Sequence, residues 1–283
     1  MKKVLRFVIV LLILLAAGAV VTCFLLGNSF TGSEEKTAPA STAAVATDPP
    51  ATVPPTTERN PSSSGYAEEN GVLKYYINGV VQTNTVVGSD EEGYCYAGAD
   101  GTIDRGYCDG VTVDGSDWII IEGTAYRVLT DSDKCLFAAA KDVAKCTQSG
   151  MTRAEKLKKC FDYIKSNYLE GVLHNPPYPY SEPDWPVVYA NDIFVDGMGD
   201  CYSFGAAFAY MGRAIGYTEV YACHSGGHGW TEIEERTYDP EWSMHSNNYS
   251  YYGMRYDEEC DVPYASAIEN GIEQKRRQII INQ

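Results

Sequence analysis

The order of hydrophobic and polar residues first separates an apolar N-terminal segment from the rest. Residues 7–26 are almost entirely apolar and follow a short basic stretch. About twenty helical residues span roughly 30 Å, the thickness of the hydrocarbon core of a bilayer. Because basic flanks stay in the cytoplasm, we predict that residues 1–30 form a membrane anchor with the remaining chain outside the cell. A cleaved signal peptide and a lipoprotein attached through Cys23 are the alternatives.

The next segment, residues 31–65, has almost no large apolar side chains and is rich in Thr, Ser and Pro. Such a segment cannot bury enough surface to offset the entropy lost on ordering. We therefore predict a disordered, extended stalk between the anchor and the folded part of the chain.

Residues 66–127 alternate short apolar runs, such as "LKYYI", "GYCYA" and "DWIII", with dipeptides typical of two-residue hairpin turns. The five dipeptides are Asn70-Gly71, Asn78-Gly79, Asp100-Gly101, Asp109-Gly110 and Asp114-Gly115. This pattern predicts a small all-β module of antiparallel hairpins.

Residues 128–283 begin with a different pattern. Residues 131–147 and 152–168 carry apolar positions at helical spacing, and Thr152 with Glu155 matches a capping box. A Pro-rich loop, "HNPPYPYSEPDWP", follows. A third predicted helix starts at "CYSFGAAFAYMGRAIGY", and strands are predicted at 219–224, 228–234 and 237–239. We predict an α+β domain in which this third helix packs on an antiparallel sheet.

Cys201 is the first residue of the third predicted helix. Gly197 and Gly199 end the preceding segment, and Asp200 is a good N-cap. At a helix start, unpaired N–H groups and the helix dipole favour a thiolate over a thiol, and the thiolate is the nucleophile. The same N–H groups can stabilise an oxyanion. Cys201 is therefore the candidate nucleophile.

A nucleophilic cysteine needs a base that is held in place by a third group. His228 begins a predicted strand and Asp239 ends the next one, so their side chains can meet across antiparallel neighbours. His174 and His245 lie in polar loops, where we expect them to be solvated. His224 and His228 have the i, i+4 spacing of a helical zinc site, but the glycines between them disfavour a helix, and we predict no metal or cofactor.

The stretches "GMGDCYSFGAAF", "HGW" and "YDP" together resemble the transglutaminase-like superfamily. The resemblance spans residues 125–245 and implies a papain-like Cys-His-Asp triad. By motif, the nucleophile is Cys201, the base is His228 and the orienting carboxylate is Asp239. Gly229 stands where alanine is usual in that family.

The same resemblance implies a second oxyanion donor on an upstream aromatic residue. Trp185 and Tyr189 are the candidates. No motif distinguishes between them, so both stay open.

The stretch "GYCYAGADGTIDRGYC", residues 93–108, resembles one unit of the aromatic hairpin repeats of bacterial cell-wall-binding and glucan-binding proteins. Tyr94, Tyr96 and Tyr107 lie at aromatic positions of the pattern. The resemblance implies wall binding by the β module. The alternative is a module that only packs on the next domain.

The net charge of −16 argues against nucleic acid as a partner, because a strongly acidic protein repels phosphate. The chain has nine cysteines, and an extracellular setting permits disulfides. Cys95 and Cys108 flank one predicted hairpin, which makes them the favoured pair. Cys135 and Cys146 are too far apart on one helix to bond each other, whereas either could meet Cys160 on the next helix.

The sequence thus predicts an extracellular, membrane-anchored thiol enzyme that cleaves or transfers peptide or side-chain amides. Resolution of the thioester by water gives a protease or peptidase, which the resemblance favours, and resolution by an amine gives a crosslinking transglutaminase. Protein or peptide substrates, including cell-wall proteins, are the expected partners. The alternative from another class is a non-catalytic cell-wall-binding or adhesion protein. The oligomeric state is left open.

Overall fold

A computed structural model describes residues 64–174, 182–225, 227–261 and 276–281. The predicted anchor, nearly all of the predicted stalk and part of the Pro-rich loop lie outside the described residues. Within the described residues, no helix is long and apolar enough to cross a membrane.

The β module consists of antiparallel hairpins, as predicted. One sheet has the order β1-β2-β3 and the other β4-β5-β8-β7-β6. The strands are β1 (Gly65–Glu69), β2 (Val72–Ile77), β3 (Val80–Val81), β4 (Thr85–Ser89), β5 (Gly93–Ala97), β6 (Asp109–Val113), β7 (Ser116–Ile121) and β8 (Thr124–Arg127). Asn70, Asn78 and Asp114 have φ angles of 55°, 49° and 49°, the left-handed conformation that these hairpin turns require.

The predicted turn at Asp109-Gly110 is wrong, because both residues lie inside β6. Helix α1 (Asp131–Cys146) crosses the strand at this point. A Cβ atom on Gly110 would stand 2.6 Å from the carbonyl oxygen of Phe137 in α1. The glycine therefore permits a close approach of helix and strand and does not make a turn.

The two predicted helices are confirmed as α1 and α2 (Arg153–Asn167). The capping box of Thr152 and Glu155 is present at the start of α2. Helix α1 has a capping box of its own, formed by Thr130 and Asp133, that the sequence analysis did not identify. Both helix starts are thus fixed by reciprocal side-chain and backbone hydrogen bonds.

One hydrophobic core joins the β module to the helices. It contains Ile119 and Ile121 of β7, Leu136 of α1, Phe161 of α2 and Phe208 of the third predicted helix. Strand β7 and these three helices therefore share one buried core.

The segment that leads to Cys201 is made of short elements. Helix α3 (Trp185–Asn191) continues into a π-helical turn (Asp192–Asp196). Strand β10 (Met198–Gly199) then pairs in parallel with β9 (Leu169–Glu170). Helix α4 (Cys201–Ala214) starts after one further residue. The start of α4 is thus held by pairing to a distant part of the chain.

The second five-stranded sheet is antiparallel, with the order β14-β13-β12-β11-β15. Its strands are β11 (Val220–His224), β12 (Gly229–Ile233), β13 (Arg236–Tyr238), β14 (Tyr252–Met254) and β15 (Arg276–Gln278), and helix α5 (Pro240–His245) follows β13. The described residues therefore form a mixed α+β structure with antiparallel sheets, as predicted.

Two glycines allow the backbones of α4 and β12 to lie in direct contact. A Cβ on Gly205 would stand 2.9 Å from the backbone of Trp230, and a Cβ on Gly229 would stand 2.6 Å from Cα of Tyr202. Thr231 Oγ1 adds a hydrogen bond of 2.6 Å to the Gly205 carbonyl. Backbone contact of this kind is open only to glycine, and it sets the distance between the start of α4 and the start of β12.

The predicted disulfide between Cys95 and Cys108 is wrong, since both are free thiols. Strands β8 and β7 separate β5, which carries Cys95, from β6. Cys95 packs with Val87 in a small cluster of the β module. Cys108 lies in the main core, where Lys156 Nζ is 3.7 Å from its Sγ. The two residues flank a hairpin in sequence but belong to different clusters in space.

Candidate active site

Cys201 begins helix α4, and its neighbour Asp200 is the N-cap, as predicted. Asp200 Oδ1 accepts hydrogen bonds from the backbone N–H groups of Tyr202 (3.0 Å) and Ser203 (3.2 Å). Two amides of the helix start are therefore already satisfied. No hydrogen bond among the described residues takes the Cys201 N–H, so this is the amide that remains for a ligand.

His228 and Asp239 meet across β12 and β13, as their positions in the sequence predicted. His228 lies directly before β12, and Asp239 lies directly after β13. The Nε2 atom of His228 is 2.5 Å from Oδ2 of Asp239, and only 1% of the Asp239 side chain is exposed. A buried carboxylate thus holds one nitrogen of the imidazole.

Asp239 is itself held in one orientation. Its second carboxylate oxygen accepts a hydrogen bond of 3.0 Å from the Trp242 N–H at the start of α5. Its own N–H donates to the carbonyl of Tyr251 at 2.9 Å. Because both oxygens have defined partners, the carboxylate cannot rotate freely, and the imidazole plane is fixed with it.

The thiol of Cys201 is the second group that acts on the imidazole of His228, because it raises the pKa of the ring. Asp239 holds the ring through Nε2. Burial lowers the pKa of His228, but the hydrogen bonds and charges of Asp239 and Cys201 raise it to about 10. At neutral pH the ring is therefore an imidazolium between two acidic groups.

Aromatic rings surround His228. The ring of Trp230 lies nearly parallel to the imidazole at 6.2 Å, and the ring of Trp242 lies edge-on at 6.1 Å. The side chain of His228 is 12% exposed, so the rings leave it a narrow opening to solvent. A low-dielectric surrounding strengthens the electrostatic interactions within the site.

Trp185 and Tyr189, the two candidate oxyanion donors, are both buried on α3. Tyr189 packs at 5.3 Å on the ring of Tyr202, the residue after Cys201. The Trp185 Nε1–H is buried and has no hydrogen-bond partner among the described residues. Burying a donor without a hydrogen bond costs about 1–3 kcal/mol of folding free energy. Trp185 is therefore the stronger candidate, because the protein keeps its N–H buried without a partner among the described residues.

A buried carboxylate near the start of α4, Asp192, was not indicated by any sequence pattern. Asp192 Oδ1 lies 2.8 Å from His174 Nε2, and Oδ2 accepts a hydrogen bond of 2.6 Å from Ser203 Oγ. Burial raises the pKa of Asp192, and Ser203 and His174 lower it in part. The expectation that His174 is solvated is therefore wrong. No local pattern marks this contact, because its members come from three separate elements.

The expectation that His245 is solvated is only half right. Its side chain is 49% exposed, but its Nε2 lies 2.6 Å from Oε1 of Glu170 and 3.7 Å from Oε1 of Glu241. The ligand atoms of these three residues lie within 4.8 Å of one another, and their types suit a divalent cation. The contacts of His245 with the two carboxylates account for the arrangement, and we assign no metal to it.

His224 and His228 do not have the helical arrangement of an i, i+4 metal site. His224 ends β11 and is buried, with its ring at 5.2 Å from Trp185 and 6.3 Å from Tyr202. The two histidines lie at the ends of paired strands and not on a helix, as the glycines between them indicated.

A separate cavity of about 390 Å³ lies in the β module. Its lining includes Tyr96 and Tyr107, whose rings stack at 5.4 Å, together with Asp100 and Asp104. Both tyrosines lie on the aromatic hairpin pattern noted in the sequence.

The structure thus brings Cys201, His228 and Asp239 together from three elements. Comparisons with protein-family models, with characterised proteins and with solved structures found no match. What the site can do is therefore inferred from its own chemistry.

Proposed function

We propose that the protein is a thiol acyl-transfer enzyme that cleaves peptide or side-chain amides, acting as a protease or peptidase. One observation carries the proposal. A buried carboxylate is hydrogen-bonded to an imidazole, the thiol of Cys201 raises the pKa of that imidazole, and the thiol lies at the start of a helix. This is the arrangement that activates a cysteine nucleophile.

The nucleophilic form of the proposed pair is a Cys201 thiolate beside the His228 imidazolium. The thiolate attacks the amide carbonyl, and the developing oxyanion can accept hydrogen bonds from the Cys201 N–H and the Trp185 Nε1–H. His228 then gives its proton to the leaving amine, which departs and leaves a thioester on Cys201. Asp239 keeps the ring in place and stabilises its charged form.

The neutral imidazole then takes a proton from the group that resolves the thioester. Water yields a carboxylic acid and restores the thiolate–imidazolium pair, whereas a primary amine yields a new amide. The resemblance of the three motifs to transglutaminase-like proteins favours hydrolysis. Amide crosslinking is the alternative within the same chemistry.

The expected substrates are proteins or peptides outside the cell, because the N-terminal segments predict an anchored or secreted chain. An anchor and stalk would present the site at the cell wall, where wall proteins are accessible. No part of the chemistry requires a cofactor.

The cavity of the β module supports a second candidate, a wall-binding or adhesion protein without catalysis. Tyrosine faces can stack on sugar rings, and the carboxylates of Asp100 and Asp104 can accept hydrogen bonds from hydroxyl groups. If binding is the function, Tyr96→Ala should reduce sedimentation of the protein with purified cell-wall polymer, and Cys201→Ala should not.

The test of the enzyme is a mixture of peptides incubated with the purified full chain and a fluorescent primary amine, with products read by mass spectrometry. Hydrolysis gives new free acids, and transamidation gives amine adducts. Either product, lost in Cys201→Ala, supports the proposal. If peptides stay intact with the wild type as with Cys201→Ala, the proposal fails.

A further inference from the structure

Among the described residues, the thiols of Cys146 and Cys160 lie against each other outside the proposed active site. Cys146 is the last residue of α1, and Cys160 lies in the middle of α2. Their Sγ atoms are 3.9 Å apart, and both are free thiols in this structure. Cys160 is fully buried, whereas Cys146 is partly exposed.

We propose that Cys146 and Cys160 are a covalent modification site, at which a disulfide joins α1 to α2. The proposal does not depend on the activity of Cys201. A disulfide has a sulfur–sulfur distance of about 2.05 Å, so the two atoms must approach by roughly 1.9 Å. Cys146 can supply this movement, because α1 ends at this residue and the next residue, Thr147, has extended backbone angles.

The other thiols near α2 are held elsewhere. Cys135 lies in α1 about three turns before Cys146, and its Sγ is 3.3 Å from Oδ1 of Asn191 in α3. Cys108 lies beside Lys156 Nζ at 3.7 Å. Of the two residues that the sequence left as partners for Cys160, the geometry selects Cys146.

The two thiols have complementary roles in the bond-forming reaction. The hydrogen bond from Cys160 lowers the pKa of Cys146, and burial raises the pKa of Cys160. The partly exposed Cys146 thiolate attacks a low-molecular-weight disulfide, RS–SR, to form Cys146–S–SR and release RS⁻. The sulfur of Cys160 then attacks Cys146 Sγ and expels the second RS group, which leaves as RSH with the proton of the Cys160 thiol. Two protein thiols are oxidised by two electrons, and RS–SR is reduced to two thiols.

The bond would join α1 to α2, the pair of helices that supports α4. Phe161, next to Cys160, packs edge-on against Phe208 of α4 at 5.3 Å. A closed loop of about fifteen residues restricts the unfolded chain, and for a folded part of this size we expect the unfolding midpoint to rise by roughly 5–10 °C.

Tryptic mapping tests the bond directly, because each cysteine falls in its own peptide. Cleavage after lysine and arginine gives "CTQSGMTR" for Cys146, "CFDYIK" for Cys160 and "CLFAAAK" for Cys135. The purified full chain is incubated with glutathione disulfide, alkylated and digested without reductant. We expect "CTQSGMTR" linked to "CFDYIK", and its release by dithiothreitol.

Thermal unfolding supplies the second readout. Oxidation should raise the midpoint of the wild type and of the matched control Cys135→Ser, and leave Cys146→Ser unchanged. Separate alkylation of the Cys146 and Cys160 peptides after oxidation, or a bond from Cys160 to Cys135 or Cys108, overturns the proposal. If the Cys146–Cys160 bond forms but the unfolding midpoint does not rise, the proposed stabilisation of the helix pair is contradicted.

Discussion

Gly229 lies directly against Tyr202, so that a Cβ on the glycine would stand 2.6 Å from Cα of Tyr202. These residues follow His228 and Cys201 in the sequence. The close approach of the two backbones is therefore what places the imidazole beside the thiol. The glycine at this position, where the resembled family usually has alanine, corresponds to an approach too close for a methyl group.

Gly229→Ala should push the start of β12 away from α4. Overpacking against a backbone atom costs about 1–3 kcal/mol, and the separation of Cys201 from His228 should also slow alkylation of Cys201. Urea unfolding and iodoacetamide labelling measure the two effects. Gly227→Ala is the matched control, since a Cβ there meets nothing within 4 Å. Equal behaviour of the two variants would show that the contact does not position the site.

Asp239→Asn should lower the pKa of His228. The pKa is raised to about 10 in the presence of Asp239 and Cys201, and loss of one opposite charge should reduce it by roughly 2 units. Titration of isotope-labelled histidine by NMR gives the value. Asp192→Asn removes a carboxylate that lies against His174, and it should leave the pKa of His228 unchanged. A wild-type value near 6.5 would contradict the ion pair.

Protonation of His228 should also make stability depend on pH. Because its pKa is raised from 6.5 to about 10, the folded state keeps a proton that the unfolded state has released between these values. This stabilisation is complete below pH 6.5 and is lost as the pH rises through about 10. The free energy of unfolding of the wild type, relative to His228→Gln, should thus fall by up to about 1.4 kcal/mol per pH unit in this window. Urea titrations at several pH values measure it, and a constant difference would contradict the shift.

Trp185→Phe should separate acylation from alkylation. Acylation of Cys201 by p-nitrophenyl acetate passes through an oxyanion, and loss of one donor should slow it by about 10²-fold. Alkylation by iodoacetamide forms no oxyanion, so its rate should stay within about twofold of the wild type. Release of nitrophenol and peptide mass spectrometry give the two rates. Equal slowing of both reactions would indicate a packing role for Trp185.

Patterns of a few neighbouring residues predicted part of the fold. Thr152 with Glu155 marked the start of α2, Asp200 marked the start of α4, and Asn-Gly dipeptides marked hairpin turns. The order of Cys201, His228 and Asp239 in the sequence predicted that the side chains of the three residues meet. These features depend on capping, turn chemistry and strand register, which act over a few residues.

The remaining features depend on which distant segments meet. Asp109-Gly110 has the sequence of a turn, but it lies in β6 against α1. Cys95 and Cys108 flank a hairpin in the sequence, but two strands separate β5 from β6, which begins after Cys108. The contact of His174 with Asp192 brings together a loop and a π-helical turn. No local pattern records such contacts, because tertiary packing decides them.

The most direct test of the thiolate–imidazolium pair is the rate of iodoacetamide alkylation at Cys201 as a function of pH, in the purified full chain and its His228→Ala variant. Peptide mass spectrometry reads the labelled fraction. Fast labelling at pH 6 that is lost in His228→Ala is the predicted result, because only the imidazolium keeps the thiolate charged there. Slow labelling that rises only above pH 8, and to the same extent in both proteins, would contradict it and leave Cys201 an ordinary thiol.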